Sequence, residues 1–245
     1  MAGRGMAARV LAVVLLLVAS AVAAPAEPVA DGFEAGTLEP FWWPRAEAGR
    51  LTVQRDVVRS GEFALRVEVR ERDVSGTGGD NEETERTEIQ VERERWARFG
   101  ETHEYAFSMY VPPDFPIADL RLVTSQWKQI CTDCARNRSP IVAQRYRRGE
   151  LRITIETPQG RQTIFRLPEF PRGRWHDLRY RIRFHLTEGA VAAWLDGVQV
   201  VDYRGPLGFD DDPPDVYFRL GLYRNRMVEP MVLYFDDFRT ERLAE

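Results

Sequence analysis

The stretch 216–224 carries three polar side chains that could act together on an anionic group. Tyr217, Arg219 and Tyr223 alternate with apolar residues, so a β-strand would place all three on one face. A guanidinium binds a carboxylate through two parallel hydrogen bonds, and a phenol can give or take a proton. Gly221 interrupts this row of side chains, and a glycine inside a strand often marks the close approach of a ligand. The pattern predicts an anion-binding face with room for a ligand ring at Gly221.

Two further stretches have dense polar faces. In the stretch 84–92, every second residue is polar, and these residues would share one face of a strand: Thr84, Arg86, Glu88, Gln90 and Glu92. On one parity, 122–129 presents Thr124, Gln126 and Lys128, with Val123, Ser125 and Trp127 on the other. The three faces together suit an acidic sugar polymer. Cationic neighbours favour a phenolate and stabilise the charge that develops when a proton is removed next to a carboxylate, which is the first step of β-elimination.

The remaining pattern predicts an all-β protein. Short alternating stretches are separated by turn signals, and Asp196-Gly197 is a strong hairpin signal. Only the region around 92–98 has weak helical character. The predicted strands cover 51–54, 63–69, 84–92, 101–111, 122–129, 141–145, 151–156, 162–167, 175–184, 191–195, 198–203, 216–224 and 231–240. So many short strands favour a sandwich or jelly roll of two antiparallel sheets.

The first residues are typical of a secretory signal peptide. Arg4 and Arg9 precede the apolar run 10–18, and small residues follow it. We expect a leader at 1–26 and one domain at 27–245, secreted or periplasmic, monomeric, with no membrane span. The formal net charge of −4 argues against a general nucleic-acid-binding protein.

The three polar stretches resemble the signature strands of jelly-roll polysaccharide lyases, which include alginate, glucuronan and heparinase-like lyases. The matching motifs are Arg86-Thr87-Glu88, Gln126-Trp127-Lys128 and Tyr217-Phe218-Arg219-Leu220-Gly221-Leu222-Tyr223. Other stretches of the mature chain also resemble these lyases, such as Trp175-His176-Asp177 and Tyr234-Phe235-Asp236-Asp237-Phe238. The resemblance implies a β-jelly roll, a concanavalin A-like sandwich with a concave groove, that cleaves a uronic-acid-containing polymer by β-elimination without a catalytic cofactor.

The resemblance also assigns roles by position. Tyr223 matches the general acid, which in some members is also the base, and Gln126 and Arg86 match the groups that neutralise the substrate carboxylate. Lys128 stands where the family commonly has histidine, so it is either the base or a charge stabiliser. The expected substrate-binding residues are Glu88, Gln90, Arg219, Tyr217, Asn225 and Arg145. Gln90 replaces an arginine that alginate lyases often have, which favours glucuronan over alginate.

Two other functions remain open at this stage. A lectin-like module could bind an acidic polysaccharide through the same face without cleaving it. A jelly-roll glycoside hydrolase needs two carboxylates about 5–9.5 Å apart. The candidate pair, Glu88 and Glu92, would be separated by about 13 Å of regular strand.

Two further site predictions concern the cysteines and four carboxylates. Cys131 and Cys134 are the only cysteines, and in an oxidising compartment we expect them to form a local disulfide. Asp31, Glu34, Asp236 and Asp237 lie near the two ends of the chain, and their oxygens suit a structural Ca²⁺ ion.

Overall fold

The computed structural model describes residues 28–74, 83–132 and 138–244. In these ranges the chain forms sixteen β-strands and one short 3-10 helix at Arg93–Arg95. The strands make two eight-stranded sheets in which every pairing is antiparallel. This is the predicted β-jelly roll. The weak helical signal around 92–98 corresponds to the 3-10 turn and a two-residue strand that follows it.

One sheet, named here the back sheet, has the strand order β14-β13-β12-β7-β16-β4-β3, with β1 paired to β16. Its strands are β1 (Val29–Asp31), β3 (Leu51–Gln54), β4 (Ala64–Val69), β7 (Thr102–Tyr110), β12 (Trp175–Arg183), β13 (Gly189–Leu195), β14 (Val198–Gly205) and β16 (Met231–Leu243). Asp196 and Gly197, between β13 and β14, both have positive φ, as the predicted tight hairpin requires.

The other sheet, named here the groove sheet, has the order β11-β10-β9-β8-β15-β5-β2, with β6 paired to β15. Its strands are β2 (Trp42–Arg45), β5 (Thr84–Val91), β6 (Ala97–Arg98), β8 (Leu122–Gln129), β9 (Val142–Arg147), β10 (Glu150–Thr157), β11 (Gly160–Leu167) and β15 (Asp215–Asn225). The three polar stretches found in the sequence are therefore β5, β15 and β8, which are direct neighbours.

The core lies between the two sheets and takes one face of each strand. In β15 the apolar parity Phe218, Leu220 and Leu222 is buried, as the alternation predicts. Phe218 packs against Trp127 of β8, with ring centroids 5.0 Å apart. Because these residues are held in the core, the opposite parity of β15 faces away from it, and so do Gln126 and Lys128 on either side of Trp127. None of the helices in the described ranges has the length and apolar character to cross a membrane.

Candidate active site

The outward face of the groove sheet holds a groove of about 570 Å³. Its lining includes seven basic side chains: Arg86, Arg121, Lys128, Arg138, Arg145, Arg161 and Arg219. Gln126, Tyr217 and Tyr223 also line it. Among the described residues that line the groove there is no aspartate or glutamate. The net charge of the chain is negative, so this concentration of positive charge is a local property of the groove.

Strand register sets which of these side chains are neighbours. Arg219 of β15 lies opposite Gln126 of β8 and opposite Gln90 of β5. Tyr217 lies opposite Lys128. At the other end of β15, Tyr223 lies opposite Arg86. The three sequence motifs thus meet on one face.

The buried carboxylate of Glu88 interacts with three of the groove residues, Arg86, Gln126 and Arg219. Its side chain is fully buried and accepts hydrogen bonds from Arg86 Nη1 and from Gln126 Nε2, the latter at 2.5 Å. The Nη1 atom of Arg219 lies 3.8 Å from Glu88 Oε2. A carboxylate in this position offsets the buried positive charge and fixes the orientation of its partners. Glu88 therefore positions the groove residues rather than lining the groove itself.

Gln90 has a similar place beside Arg219. It is buried, and its Oε1 accepts a hydrogen bond of 2.8 Å from Arg219 Nε. The aromatic ring of Tyr217 packs on the same guanidinium, with Arg219 Cζ 4.6 Å from the ring centroid. Arg219 is thus held on two sides, and it lines the groove.

Tyr223 lies between two arginines. Arg86 Cζ is 4.1 Å from the centroid of its ring, and Arg121 Nη2 donates a hydrogen bond of 3.2 Å to its hydroxyl oxygen. Arg121 also donates from Nε to Asn225 Oδ1 at 3.0 Å. These contacts fix the phenol and place positive charge where negative charge would develop on its oxygen.

Lys128 forms neither a hydrogen bond nor an ion pair with any residue in the described part of the chain. Burial lowers the pKa of its ammonium group to about 8, helped by the charges of Arg219 and Arg86 and opposed by Glu88. A lysine with this pKa has a substantial neutral fraction near pH 8 and can accept a proton. Arg86 contacts the ring of Tyr223, and its charge lowers the pKa of Lys128, so it acts on both candidate catalytic groups.

A family model described as "Polysaccharide lyase" matches residues 33–239. The chain belongs to this polysaccharide lyase family. No curated protein sequence matches the chain. The family assignment agrees with the resemblance carried by the three groove strands.

Three solved structures have the same fold at low sequence identity. A GH131 β-glucanase catalytic domain from Podospora anserina has a TM-score of 0.59 at 11% identity, covering 89% of this chain and 93% of its own. A family 7 alginate lyase, A1-II', in complex with the product GGG has a TM-score of 0.58 at 12% identity, covering 80% and 85%. The cellulose-induced protein Cip1 has 0.57 at 13% identity, covering 86% and 96%. Identities this low establish the fold alone.

In this member of the polysaccharide lyase family, the role expected for Gly221 needs correction. The sequence suggested that Gly221 leaves room for a ligand ring, in this case a sugar. A Cβ at this position would instead lie 2.3 Å from the Thr87 carbonyl oxygen and 2.7 Å from Glu88 Cα. Its φ of +143° is also one that other residues rarely adopt. The glycine is required by the close approach of β5 and β15.

The expected face of β8 also needs correction. The register between β8 and β9 shifts between Val123 and Ser125, which is a β-bulge. Beyond it, Val123 and Arg121 line the groove. Thr124 turns to the core and its Oγ1 accepts a hydrogen bond from Gln144 Nε2 at 2.8 Å. The bulge inverts the alternation, so Thr124 does not share a face with Gln126 and Lys128.

Sequence reasoning missed Arg121 and Arg161. Arg121 precedes β8, and with unbroken alternation it would share the core parity of Trp127. That conflict, a charged residue on an apolar parity, was the available signal for a bulge. Arg161 lies at the start of β11, where its Nε donates to Glu156 Oε1 at 2.6 Å. Its place in the groove depends on strand order, which the sequence does not encode locally.

Other arginines divide into groove and surface groups. Arg145 lines the groove; burial lowers its pKa to about 10, and its Nε donates to Thr154 Oγ1 at 3.0 Å. Arg138 lines the groove but is paired with Asp211 and Asp212. Arg147 and Arg148 both bind Asp119 and are not among the lining residues.

All three histidines lie outside the groove lining. His176 is fully buried and contacts Asp196 and the Pro171 carbonyl oxygen. His185 accepts hydrogen bonds from the backbone N–H groups of Thr187 and Glu188. His103 contacts Glu101 at 2.9 Å in a separate pocket. The groove therefore has no histidine base within the described ranges, which leaves Lys128 and Tyr223.

The four carboxylates predicted to bind calcium have other partners. Asp31 accepts hydrogen bonds from Phe33 N and Trp42 Nε1, and burial raises its pKa. Glu34 accepts from the backbone N–H groups of Glu62 and Phe63, Asp236 from those of Arg59 and Ser60, and Asp237 from Ser60 Oγ. Within the described ranges, no three His, Cys, Asp or Glu side chains are grouped so that they could hold a metal ion. Calcium binding stays a prediction without a ligand set.

The predicted disulfide falls at the edge of the groove. Cys131 follows β8 and lines the groove. Cys134 lies outside the described residues, so the pairing of the two stays a prediction. The predicted leader at 1–26 also lies outside them.

Proposed function

We propose that this chain is a secreted polysaccharide lyase that cleaves a uronic-acid-containing polymer by β-elimination, with glucuronan as the first-choice substrate. The observation that carries the proposal is the composition of the groove. Seven basic side chains and two tyrosines line it, and none of its described lining residues is a carboxylate. Such a site attracts a polyanion and offers proton-transfer groups without the paired acids that glycoside hydrolysis requires.

The hydrolase alternative is disfavoured by the same residues that suggested it. Glu88 is fully buried and ion-paired with Arg86, and Glu92 is paired with Arg95 at 3.1 Å. Neither is placed to protonate a glycosidic oxygen in the groove. The likeness to the GH131 β-glucanase is one of fold alone.

Carboxylate neutralisation falls to Gln126, Arg86 and Arg219. The C5 proton of a uronate becomes acidic enough to remove only if negative charge on the carboxylate is stabilised. Glu88 uses one N–H of Gln126, and Gln90 uses one N–H of Arg219. Each side chain keeps further donors for a substrate carboxylate. Held from beneath, they are preorganised for the developing enolate-like charge.

Two proton transfers complete the reaction. A base removes the C5 proton, the C4–O4 bond breaks as the C4–C5 double bond forms, and an acid protonates the departing O4. Tyr223 is the proposed acid. Either Tyr223 first acts as the base in its phenolate form, or neutral Lys128 takes the C5 proton and becomes an ammonium ion. The lowered pKa of Lys128 supports the second route.

A panel assay tests the proposal. The protein is mixed with glucuronan, alginate, heparin-type polymers and other polyuronates, and the ultraviolet absorbance of the unsaturated uronate product is followed. We expect absorbance to rise with at least one of them, and with glucuronan first. Binding without absorbance would identify a lectin-like module, and new reducing ends without absorbance would identify a hydrolase. Either result would overturn the lyase proposal.

A further inference from the structure

Trp43 lies on the outward face of the groove sheet, beyond the groove described above. Its neighbour Trp42 points into the core, where its ring is 4.6 Å from that of Phe238. Because strand residues alternate, Trp43 points to the opposite face. Its side chain is 51% exposed. Strand β2 thus presents an indole ring to solvent at the edge of the sheet that carries the groove.

Register connects Trp43 with the centre of the groove. Trp43 lies opposite Gln90, Gln90 opposite Arg219, and Arg219 opposite Gln126. These four side chains form one row that crosses the strands. From Trp43 to Arg219 the row spans two strand spacings, about 10 Å. That is comparable to the length of a disaccharide.

The indole ring is supported from the same strand. Arg45 shares the face of Trp43, and its Cζ lies 5.3 Å from the ring centroid. Arg45 is itself buried and lies opposite Glu88. A cation held beside the ring stabilises its orientation. The exposed indole of Trp43 is thus held in a defined orientation by Arg45.

The exposure of Trp43 by itself would not indicate a binding site, since single exposed apolar side chains are common on protein surfaces. The other exposed large hydrophobic residues in the described ranges are Val74, Ile117, Val198 and Val228. Trp43 differs in being aromatic and in sharing a row with the groove residues. Aromatic faces bind the apolar C–H face of a pyranose ring without any need for charge.

We propose that Trp43 forms a stacking subsite for a sugar ring of the bound polymer, about two sugar residues from the catalytic centre. This inference rests on the proposed function. The groove then has two different ends. Arg145 and Arg161 bind carboxylates toward β9 and β11, and the indole binds a ring face toward β2. A polymer that runs across the strands contacts both ends at once.

Kinetics and binding test the subsite with Trp43→Ala, Trp43→Phe and the control Val198→Ala, which removes an exposed apolar side chain from the back sheet. For the polymer, we expect Trp43→Ala to raise KM by about 5- to 10-fold, the effect of losing one aromatic contact, with kcat unchanged. Trp43→Phe should recover part of the loss, and Val198→Ala should match the unsubstituted protein. Oligosaccharides too short to reach β2 should give the same KM with all four proteins.

Electrophoresis through gels containing the polymer measures binding without turnover. We expect the polymer to retard Trp43→Ala less than the unsubstituted protein. Equal retardation and equal KM would overturn the subsite alone, and so would a fall in kcat with unchanged KM. Retardation without any uronate absorbance would overturn the lyase proposal while the comparison of Trp43→Ala still decides the subsite. An unsubstituted protein that no polyuronate retards would overturn both.

Discussion

Gly221 and Glu88 lie directly opposite each other on β15 and β5, so closely that a Cβ on residue 221 would be 2.7 Å from Glu88 Cα. This contact keeps the strand of Arg219 and Tyr223 close above the carboxylate that orients Arg86 and Gln126. The glycine is therefore a structural requirement of the site.

Gly221→Ala should destabilise the fold by about 3 kcal/mol, because alanine combines a strained φ with a clash against the β5 backbone. Urea denaturation measures the change. Gly160→Ala is the matched control, since Gly160 also has positive φ but has open space around it. The control should lose about 1 kcal/mol. Equal losses in the two variants would contradict the clash.

Glu88→Gln should lower both stability and activity. It removes the negative charge that compensates Arg86 and Arg219, and breaking a buried pair in this way costs about 3–5 kcal/mol. Because Glu88 raises the pKa of Lys128, its neutralisation should move that pKa below about 8. Denaturation and a pH titration measure the two effects. Glu92→Gln, in which the lost pair is partly exposed, should change stability by less than about 1 kcal/mol; a similar loss in both would argue against Glu88 as the organising carboxylate.

Lys128→Met should make the protein more stable at neutral pH, by about 1–3 kcal/mol, because it removes a poorly solvated charge. Lys128 has a folded-state pKa of about 8, below its ordinary 10.5, so the folded state binds fewer protons between these pH values. The stability of the unsubstituted protein relative to Lys128→Met should therefore rise from pH 8 to 10.5. Below pH 8 the methionine variant keeps its full advantage. A difference that does not vary with pH would show that burial does not perturb Lys128.

Lys128→Arg separates the two candidate bases. If neutral Lys128 takes the C5 proton, activity should rise with pH through about 8, and Lys128→Arg should lose about 10²- to 10⁴-fold in kcat because arginine stays protonated. If Lys128 only stabilises charge, Lys128→Arg should retain most of the activity. The pH profile of kcat/KM for both proteins decides between the routes.

Tyr223→Phe should lower kcat by about 10²-fold or more while the polymer still binds, because the variant keeps the ring between Arg86 and Arg121 but loses the hydroxyl that protonates O4. Tyr234→Phe on the back sheet is the control and should keep full activity. Near-normal turnover by Tyr223→Phe would refute its assignment as the acid.

The alternation of polar and apolar residues was enough to predict the faces of β5 and β15. Phe218, Leu220 and Leu222 could only be buried together, so Tyr217, Arg219 and Tyr223 had to share the other face. The same rule failed in β8 because one bulge inverted the alternation at Thr124, and it hid Arg121. Trp43 lies in a four-residue strand interrupted by Pro44, which is too short for periodicity to indicate its face. The local pattern of residues predicted the individual strands. The bulge in β8 and the position of Trp43 depend on contacts between strands, which this pattern does not specify.

The presence of one lysine in the chain has a practical consequence. A lysine-specific protease has a single bond to cleave in the whole sequence, directly after Lys128. That bond joins the last two residues of β8, and both are paired with β15, Lys128 with Tyr217 and Gln129 with Val216. Cleavage requires the sheet to open there, so the rate of this one cut reports how often the groove sheet separates. The protein thus carries a natural single-site probe of its own unfolding.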